Sequence, residues 1–305
     1  MAQEVEHIVP DSELRGIVRR LPERLRPFWL LARFDRPIGS WLLFWPGAWA
    51  IGLAGHAADR WDLIAWFALG AVAMRGAGCV YNDIADRELD RKVARTAGRP
   101  LASGRLSVKA AWAWLGLLGL AGLVVLLQLN LVAAATAVAS LAAVAVYPFM
   151  KRITWWPQAW LGIVFSWAAP VGWASVTGSF APAMWLLYAG SICWVIGYDT
   201  VYALQDIEDD ALAGVKSSAR ALGRHARLGI ALFYTLAIAC WAAALWRLRP
   251  EWLAIAALAP VALHLGWQVA MLRLAEPADA LAKFRSNRFA GLLMFLACFV
   301  VGATA

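Results

Sequence analysis

The sequence predicts an all-α integral membrane protein, nine transmembrane helices in two similar halves around a central cavity. Of its 305 residues, 62% are hydrophobic and only 16% charged, with a mean hydropathy of +0.62, far more apolar than a soluble domain of this length. Uncharged runs long enough to cross a hydrocarbon core of about 30 Å recur along the chain. Two acidic clusters, Asn82–Asp90 and Asp206–Asp210, each follow an apolar run, and Asp86 to Asp206 and Asp90 to Asp210 share a separation of 120 residues. That duplication implies a parallel repeat of helices.

The elements follow in order. Residues 1–36 read as a cytoplasmic amphipathic segment. From a possible Asp11 cap, Leu14, Ile17, Val18, Leu21 and Leu25 recur at helical spacing against Arg15, Arg19, Arg20 and Arg24 over residues 11–27, as in a basic helix lying on a membrane surface. Residues 37–305 form the nine-helix membrane domain. Its first span is Pro37–Ala58, and its second, Trp61–Tyr81, carries the single charge Arg75 seven residues before Asn82, close to the same helical face. A charge at that depth calls for a buried partner or an anionic ligand. The uncharged stretch Ala110–Met150 holds two spans broken at Gln128–Asn130, and Ile153–Tyr198 holds two more with a turn at Thr177–Pro182. Leu228–Trp246, Trp252–Leu272 and Phe289–Gly302 complete the nine.

The basic residues test this layout. Of 28 Lys and Arg, 24 fall before the first span or in alternate loops, three (Arg60, Arg247, Arg249) fall on the other side, and Arg75 lies within a span. By the positive-inside rule the amino terminus and both acidic clusters face the cytoplasm and the carboxyl terminus lies outside. The charged start carries no cleavable signal pattern, so the first span is expected to stay. A pI near 9.7 is thereby explained by topology, and nucleic acid is excluded as a partner. The cysteines and histidines are scattered without metal-ligand spacing. Trp41, Trp45, Trp61, Trp112, Trp155, Trp156, Trp246 and Trp252 sit near span ends, where interfacial anchoring is expected.

Asn82, Asp86 and Asp90 recur at i, i+4 and i+8, so a continuing helix would present three oxygen ligands along one wall. Carboxylate and amide oxygens suit Mg²⁺, which completes its shell with water and phosphate oxygens. Arg95, Arg99, Lys151, Arg152 and Lys216 stand in the same loops as the clusters. Together they would neutralise a diphosphate, while an apolar, Trp-rich interior accepts its lipid tail. The chemistry this suggests is ionisation of a prenyl diphosphate, with a metal stabilising the departing charge and aromatic faces an allylic cation. A cation-coupled transporter is the rival from another class. Its ligands belong near the membrane midplane, whereas these clusters end helices beside basic loops.

Seven motifs then carry a resemblance over about residues 30–300: Arg33-Phe-Asp-Arg-Pro-Ile-Gly39, Asn82-Asp-Ile-Ala-Asp-Arg-Glu-Leu-Asp90, Arg95-Thr-Ala-Gly-Arg-Pro-Leu101, Tyr147-Pro-Phe-Met-Lys-Arg152, Gly197-Tyr-Asp-Thr-Val-Tyr-Ala203, Asp206-Ile-Glu-Asp-Asp210 and Gly214-Val-Lys-Ser-Ser218. The chain resembles the UbiA-type membrane prenyltransferases, in particular the bacterial 4-hydroxybenzoate polyprenyltransferases of ubiquinone synthesis. The resemblance implies Mg²⁺-dependent transfer of a polyprenyl group from its diphosphate to the ring carbon ortho to the hydroxyl of 4-hydroxybenzoate, in a bacterial inner membrane. Related enzymes that prenylate other aromatic acceptors share the acidic motifs. Carried over by motif, Asn82, Asp86 and Asp90 would hold one metal, and Asp206 and Asp210 the other. Asp83, Asp199, Tyr202 and Asp209 would contribute to substrate binding, as would the basic Arg75, Arg99, Lys151 and Lys216, with Arg33 on the acceptor carboxylate.

Overall fold

The computed structural model describes residues 12–92, 94–212 and 214–304, and every regular element among them is helical. Asp11, read above as a cap, and the side chains of Arg95, Asp209 and Asp210 lie outside the described residues. Helices α1 (Arg15–Arg20) and α2 (Arg26–Leu31) precede α3 (Ile38–Leu53), α4 (Trp61–Asp90) and the short α5 (Ala94–Ala97). Next come α6 (Val108–Leu126), α7 (Leu131–Ile153), the pair α8 (Pro157–Ser166) and α9 (Ala168–Thr177), and α10 (Pro182–Ala203). The remainder is α11 (Ile207–Leu212), α12 (Ser218–Leu222), α13 (Ala226–Leu248), α14 (Trp252–Ala256), α15 (Ala259–Met271) and α16 (Pro277–Gly302).

Seven helical stretches among the described residues are long and apolar enough to cross a membrane: Trp61–Asp90, Val108–Leu126, Leu131–Ile153, Pro157–Thr177, Ser218–Leu248, Trp252–Met271 and Pro277–Gly302. The chain is a multi-pass helical membrane protein. Of the other two predicted spans, one corresponds to α3, with 16 residues, and the other to α10, whose 22 residues are mostly buried.

Three boundaries differ from expectation, each for a backbone reason. The amphipathic segment is two helices, because Leu21 precedes Pro22 and is extended, with ψ 146°, the conformation that a following proline imposes. The first of them starts at Leu14 without a side-chain cap. The predicted loop before the last span is instead helical from Pro277, since proline at the first position is already set for a helix. Lys283 Nζ also pairs with Asp279 Oδ1 at 2.6 Å, one turn apart. Within the fifth predicted span, Pro170 removes a donor from the helical ladder, and the regular helix is interrupted at Trp167 between α8 and α9.

The chain divides into two compact units. One comprises residues up to Ser40 together with Leu69–Val125, and the other Trp41–Ala68 with Leu126–Ala305. In the first, Leu31, Ala32, Ala77, Val80, Leu101, Ala111 and Leu118 form a buried core, with Phe34, Ile84 and Trp114 packed against it. In the second, α10 packs chiefly on α13 and α8, and also on α16. Trp49, Trp194 and Trp241 are fully buried there, and the Trp49 ring lies 5.0 Å from Trp194 and 5.2 Å from Trp241. Trp194 Nε1 donates to Asn287 Oδ1 at 2.9 Å and Tyr234 OH donates to Gln268 Oε1 at 2.8 Å. These polar groups link neighbouring helices where lipid offers no partner. Trp41, Trp61, Trp112, Trp155, Trp246 and Trp252 are exposed, as anchors should be, whereas Trp45 is buried with its ring against Gly291.

Candidate diphosphate and metal site

Helix α4 carries the first cluster on its last three turns, without interruption. Asp86 is completely buried, Asp83 is 1% exposed and Asp90 5%, while Asn82 is half-buried. At about 100° per residue, positions seven apart come within about 20° of each other. Asp83 therefore aligns with Asp90 more closely than with its neighbour Asn82. Two arginines meet that pair. Arg33 Nη2 donates to Asp83 Oδ1 at 2.8 Å and its Nη1 to Asp83 Oδ2 at 3.2 Å, a two-pronged contact. Arg99 Nη1 donates to Asp83 Oδ1 at 3.2 Å and to Asp90 Oδ2 at 2.8 Å.

Arg33 is held there by an unusual backbone. Helix α2 ends with Arg33 N–H on the Leu30 carbonyl and Phe34 N–H on the Trp29 carbonyl, both at 3.2 Å, the hydrogen-bond pair of a left-handed helix stop that normally uses glycine. The rings of Trp29 and Phe34 close the stop at 5.2 Å. Arg33 has φ 60°, the sole positive φ at a non-glycine position among the described residues. Such a conformation costs an ordinary side chain about 1 kcal/mol or more, and here it belongs to the arginine that reaches Asp83. Burial alone would lower the affinity of its guanidinium for its proton. The facing Asp83 carboxylate, with Cys79 and Asp35 adding to it, outweighs burial and raises it above the ordinary value.

Arg99 is fixed from the other side. Thr96 Oγ1 donates to the Asp90 carbonyl at 2.9 Å, and Arg99 N–H donates to the Thr96 carbonyl at 2.9 Å. Leu101, two residues later, enters the same core as Leu31 and Ala32, which directly precede Arg33. One hydrophobic core thus anchors both arginines beside α4. Arg75 contacts Cys79 Sγ, and its Nε lies 2.5 Å from where a Cβ on Gly39 would stand, so Gly39 makes room for this guanidinium.

The second cluster is built differently. Helix α10 ends at Ala203 and a 3₁₀ turn, Leu204–Asp206, separates it from α11, so these acids are not on one continuous helix. Asp199, Tyr202 and Asp206 are half-buried, and the Tyr202 ring lies 4.5 Å from Phe284. The following loop is pinned to α7 and α8. Lys216 N–H donates to the Lys151 carbonyl at 3.2 Å, Lys216 Nζ to the Ile153 carbonyl at 3.2 Å, and Ser218 N–H to Gln158 Oε1 at 3.0 Å. The Lys216 ammonium thus caps the carboxyl end of α7, and half-buried Lys151 lies on the last turn of that helix.

No group of three or more His, Cys, Asp and Glu side chains converges among the described residues. The first cluster instead offers two carboxylates and one amide on successive turns, a hard oxygen set of the kind that suits Mg²⁺, an ion that completes its shell with water and phosphate oxygens. The pairing of Asp83 with two arginines is not expressed by the motifs. Its signal was the seven-residue step from Asp83 to Asp90, which lay beneath the more obvious four-residue repeat.

The UbiA prenyltransferase family model matches residues 43–299. The 4-hydroxybenzoate polyprenyltransferase, mitochondrial, of Aedes aegypti is 43% identical over 294 residues, 94% of this chain and 64% of that protein. The Arabidopsis thaliana protein of the same name is 44% identical over 278 residues, 90% and 68% of the two chains. The 4-hydroxybenzoate octaprenyltransferase of Coxiella burnetii is 40% identical over 279 residues, 91% of this chain and 96% of that one. Among solved structures, the apo UbiA homolog from Aeropyrum pernix K1 aligns with a TM-score of 0.70 at 26% identity, covering 85% of this chain and 97% of its own. A UbiA homolog from Archaeoglobus fulgidus bound to GPP and Mg²⁺ shares the fold, with a TM-score of 0.67 at 18% identity over 92% and 100% of the chains.

Proposed function

The chain belongs to the UbiA prenyltransferase family, and from that premise we propose that it is a 4-hydroxybenzoate polyprenyltransferase acting in ubiquinone synthesis. It transfers a polyprenyl group from polyprenyl diphosphate to the ring carbon ortho to the hydroxyl. The allylic C–O bond breaks with its electron pair leaving on diphosphate, the ring carbon forms the new C–C bond, and the ring loses one proton. The observation that carries this reading is the acidic face of α4, Asn82, Asp86 and Asp90, set beside the half-buried Arg33 and Arg99. It is supported by relatives of that name at 40–44% identity.

Asn82, Asp86 and Asp90 would hold one Mg²⁺, and Asp206 and Asp210 a second. Bound there, Mg²⁺ neutralises the departing diphosphate. The remaining roles belong to the protein. Arg99, Arg75, Lys151 and Lys216 supply positive charge to the anionic substrate, and Asp199, Tyr202 and Asp209 help to position it. Asp83 takes Nη1 and Nη2 of Arg33, so the benzoate carboxylate would be received on the Nε edge of that guanidinium. The finer architecture, nine spans in two similar halves with the acids on the cytoplasmic face of a bacterial inner membrane, is part of the same proposal and rests on the basic-residue asymmetry. Residues 1–36 then form a cytoplasmic segment and 37–305 the prenyltransferase domain.

An acceptor screen tests the assignment. Purified protein with Mg²⁺, a polyprenyl diphosphate and a panel of phenols, naphthoates and 4-hydroxybenzoate is analysed by mass spectrometry. A prenylated 4-hydroxybenzoate is the expected main product, and preference for another aromatic ring would reassign the acceptor.

A further inference from the structure

We propose that Asp83 is a positioning residue that tethers Arg99, and that Arg99 is a resident counter-ion which yields Asp90 to an incoming divalent cation while staying on Asp83. This rests on the reading of Asp90 as a cation ligand. Asp83 itself is 1% exposed and enclosed by two guanidiniums, so its charge is already compensated. A buried carboxylate that lost those partners would be strongly destabilising.

The geometry of Arg99 gives the exchange its form. A single nitrogen, Nη1, spans the two carboxylates, at 3.2 Å from Asp83 and 2.8 Å from Asp90. Without a cation, Arg99 supplies the positive charge that Asp90 needs at its nearly buried position. A divalent ion on Asp90 would repel the guanidinium and take over that compensation. The Asp83 contact survives a small rotation of the arginine. The displaced charge therefore stays beside the ion, where an anionic leaving group has to sit. With its side chain 22% exposed, Arg99 can make that turn, and Arg33, clamped on Asp83 by two hydrogen bonds, keeps the anchor from following. The backbone links through Thr96 hold the pivot against the end of α4.

The test uses Mn²⁺ as the probe on the purified, substrate-free protein, with free ion counted by electron paramagnetic resonance. The relevant binding is the fraction lost in Asp86→Ala. Arg99→Gln frees Asp90 and should tighten that binding roughly tenfold, the worth of one charge-assisted hydrogen bond. Asp83→Asn leaves Arg99 to Asp90 alone and should weaken it several-fold, and the double variant should return to the Arg99→Gln value. A merely structural Asp83 would not show that rescue. In turnover, Arg99→Gln should raise the KM for prenyl diphosphate and leave the KM for the aromatic acceptor unchanged. Binding in Arg99→Gln equal to or weaker than wild type overturns the proposal, and this arm stands even if Asp83→Asn does not fold. Wild-type protein that binds no Mn²⁺ overturns the cation-ligand reading as well, whereas Mn²⁺ binding indifferent to Arg99 overturns the exchange alone.

Discussion

Asp86 and Asp206 are the side chains on which turnover should depend most sharply. Asp86→Ala or Asp206→Ala removes a proposed metal ligand near a helix end, and each variant should lose essentially all prenyl transfer while still showing a cooperative melt in detergent. Near-wild-type activity in either would remove that cluster from the mechanism. Arg33 calls for a different readout. If its Nε edge receives the acceptor carboxylate, Arg33→Lys and Arg33→Ala should raise the KM for 4-hydroxybenzoate with a smaller effect on kcat, because a lost ground-state contact weakens binding uniformly. A KM left unchanged while protein yield falls would reduce Arg33 to the structural partner of Asp83. Asn82, Asp86, Asp90 and Arg33 stand out as candidates because helical spacing and local sequence express them. Neither signal expresses the Arg33–Asp83–Arg99 cluster, whose members come together through the left-handed stop after α2 and the core shared by Leu31 and Leu101.

At the scale of elements, α4 was the most legible. Its apolar run and its acids keep one period, so the helix continues through Asp90. The second cluster resembles the first in sequence spacing, yet the 3₁₀ turn at Leu204–Asp206 breaks its helix, and nothing in the residue types there announces the break. Helix α16 begins well before the charge pattern predicts, because the pair of Asp279 and Lys283 lets charged residues sit on a helix. Packing between α3 and α4 gives an element-level prediction. A side chain at Gly39 would run into the Arg75 guanidinium, so Gly39→Val should destabilise the fold by about 1–3 kcal/mol, the usual cost of overpacking. A thermal melt in detergent would show it, and an unchanged midpoint would mean that Arg75 moves aside freely.

For the whole molecule, the hydrophobic pattern makes the membrane class readable, because the bilayer constrains it strongly, and the basic-residue asymmetry carries the proposed orientation. Reporters fused after Arg105 or Ser218 should read cytoplasmic and one after Ala305 periplasmic. A cytoplasmic carboxyl terminus would require an even number of crossings, and the 46-residue uncharged stretch Ile153–Tyr198 would be the first place to look for the missing one. The central claim, metal-dependent prenyl transfer to 4-hydroxybenzoate, is tested most directly by measuring prenylated product and released diphosphate in the same reaction. The expected result is one diphosphate per ring-prenylated hydroxybenzoate, both abolished by EDTA and restored by Mg²⁺. Undiminished transfer in metal-free buffer, or no transfer to this acceptor with Mg²⁺ present, would contradict the claim.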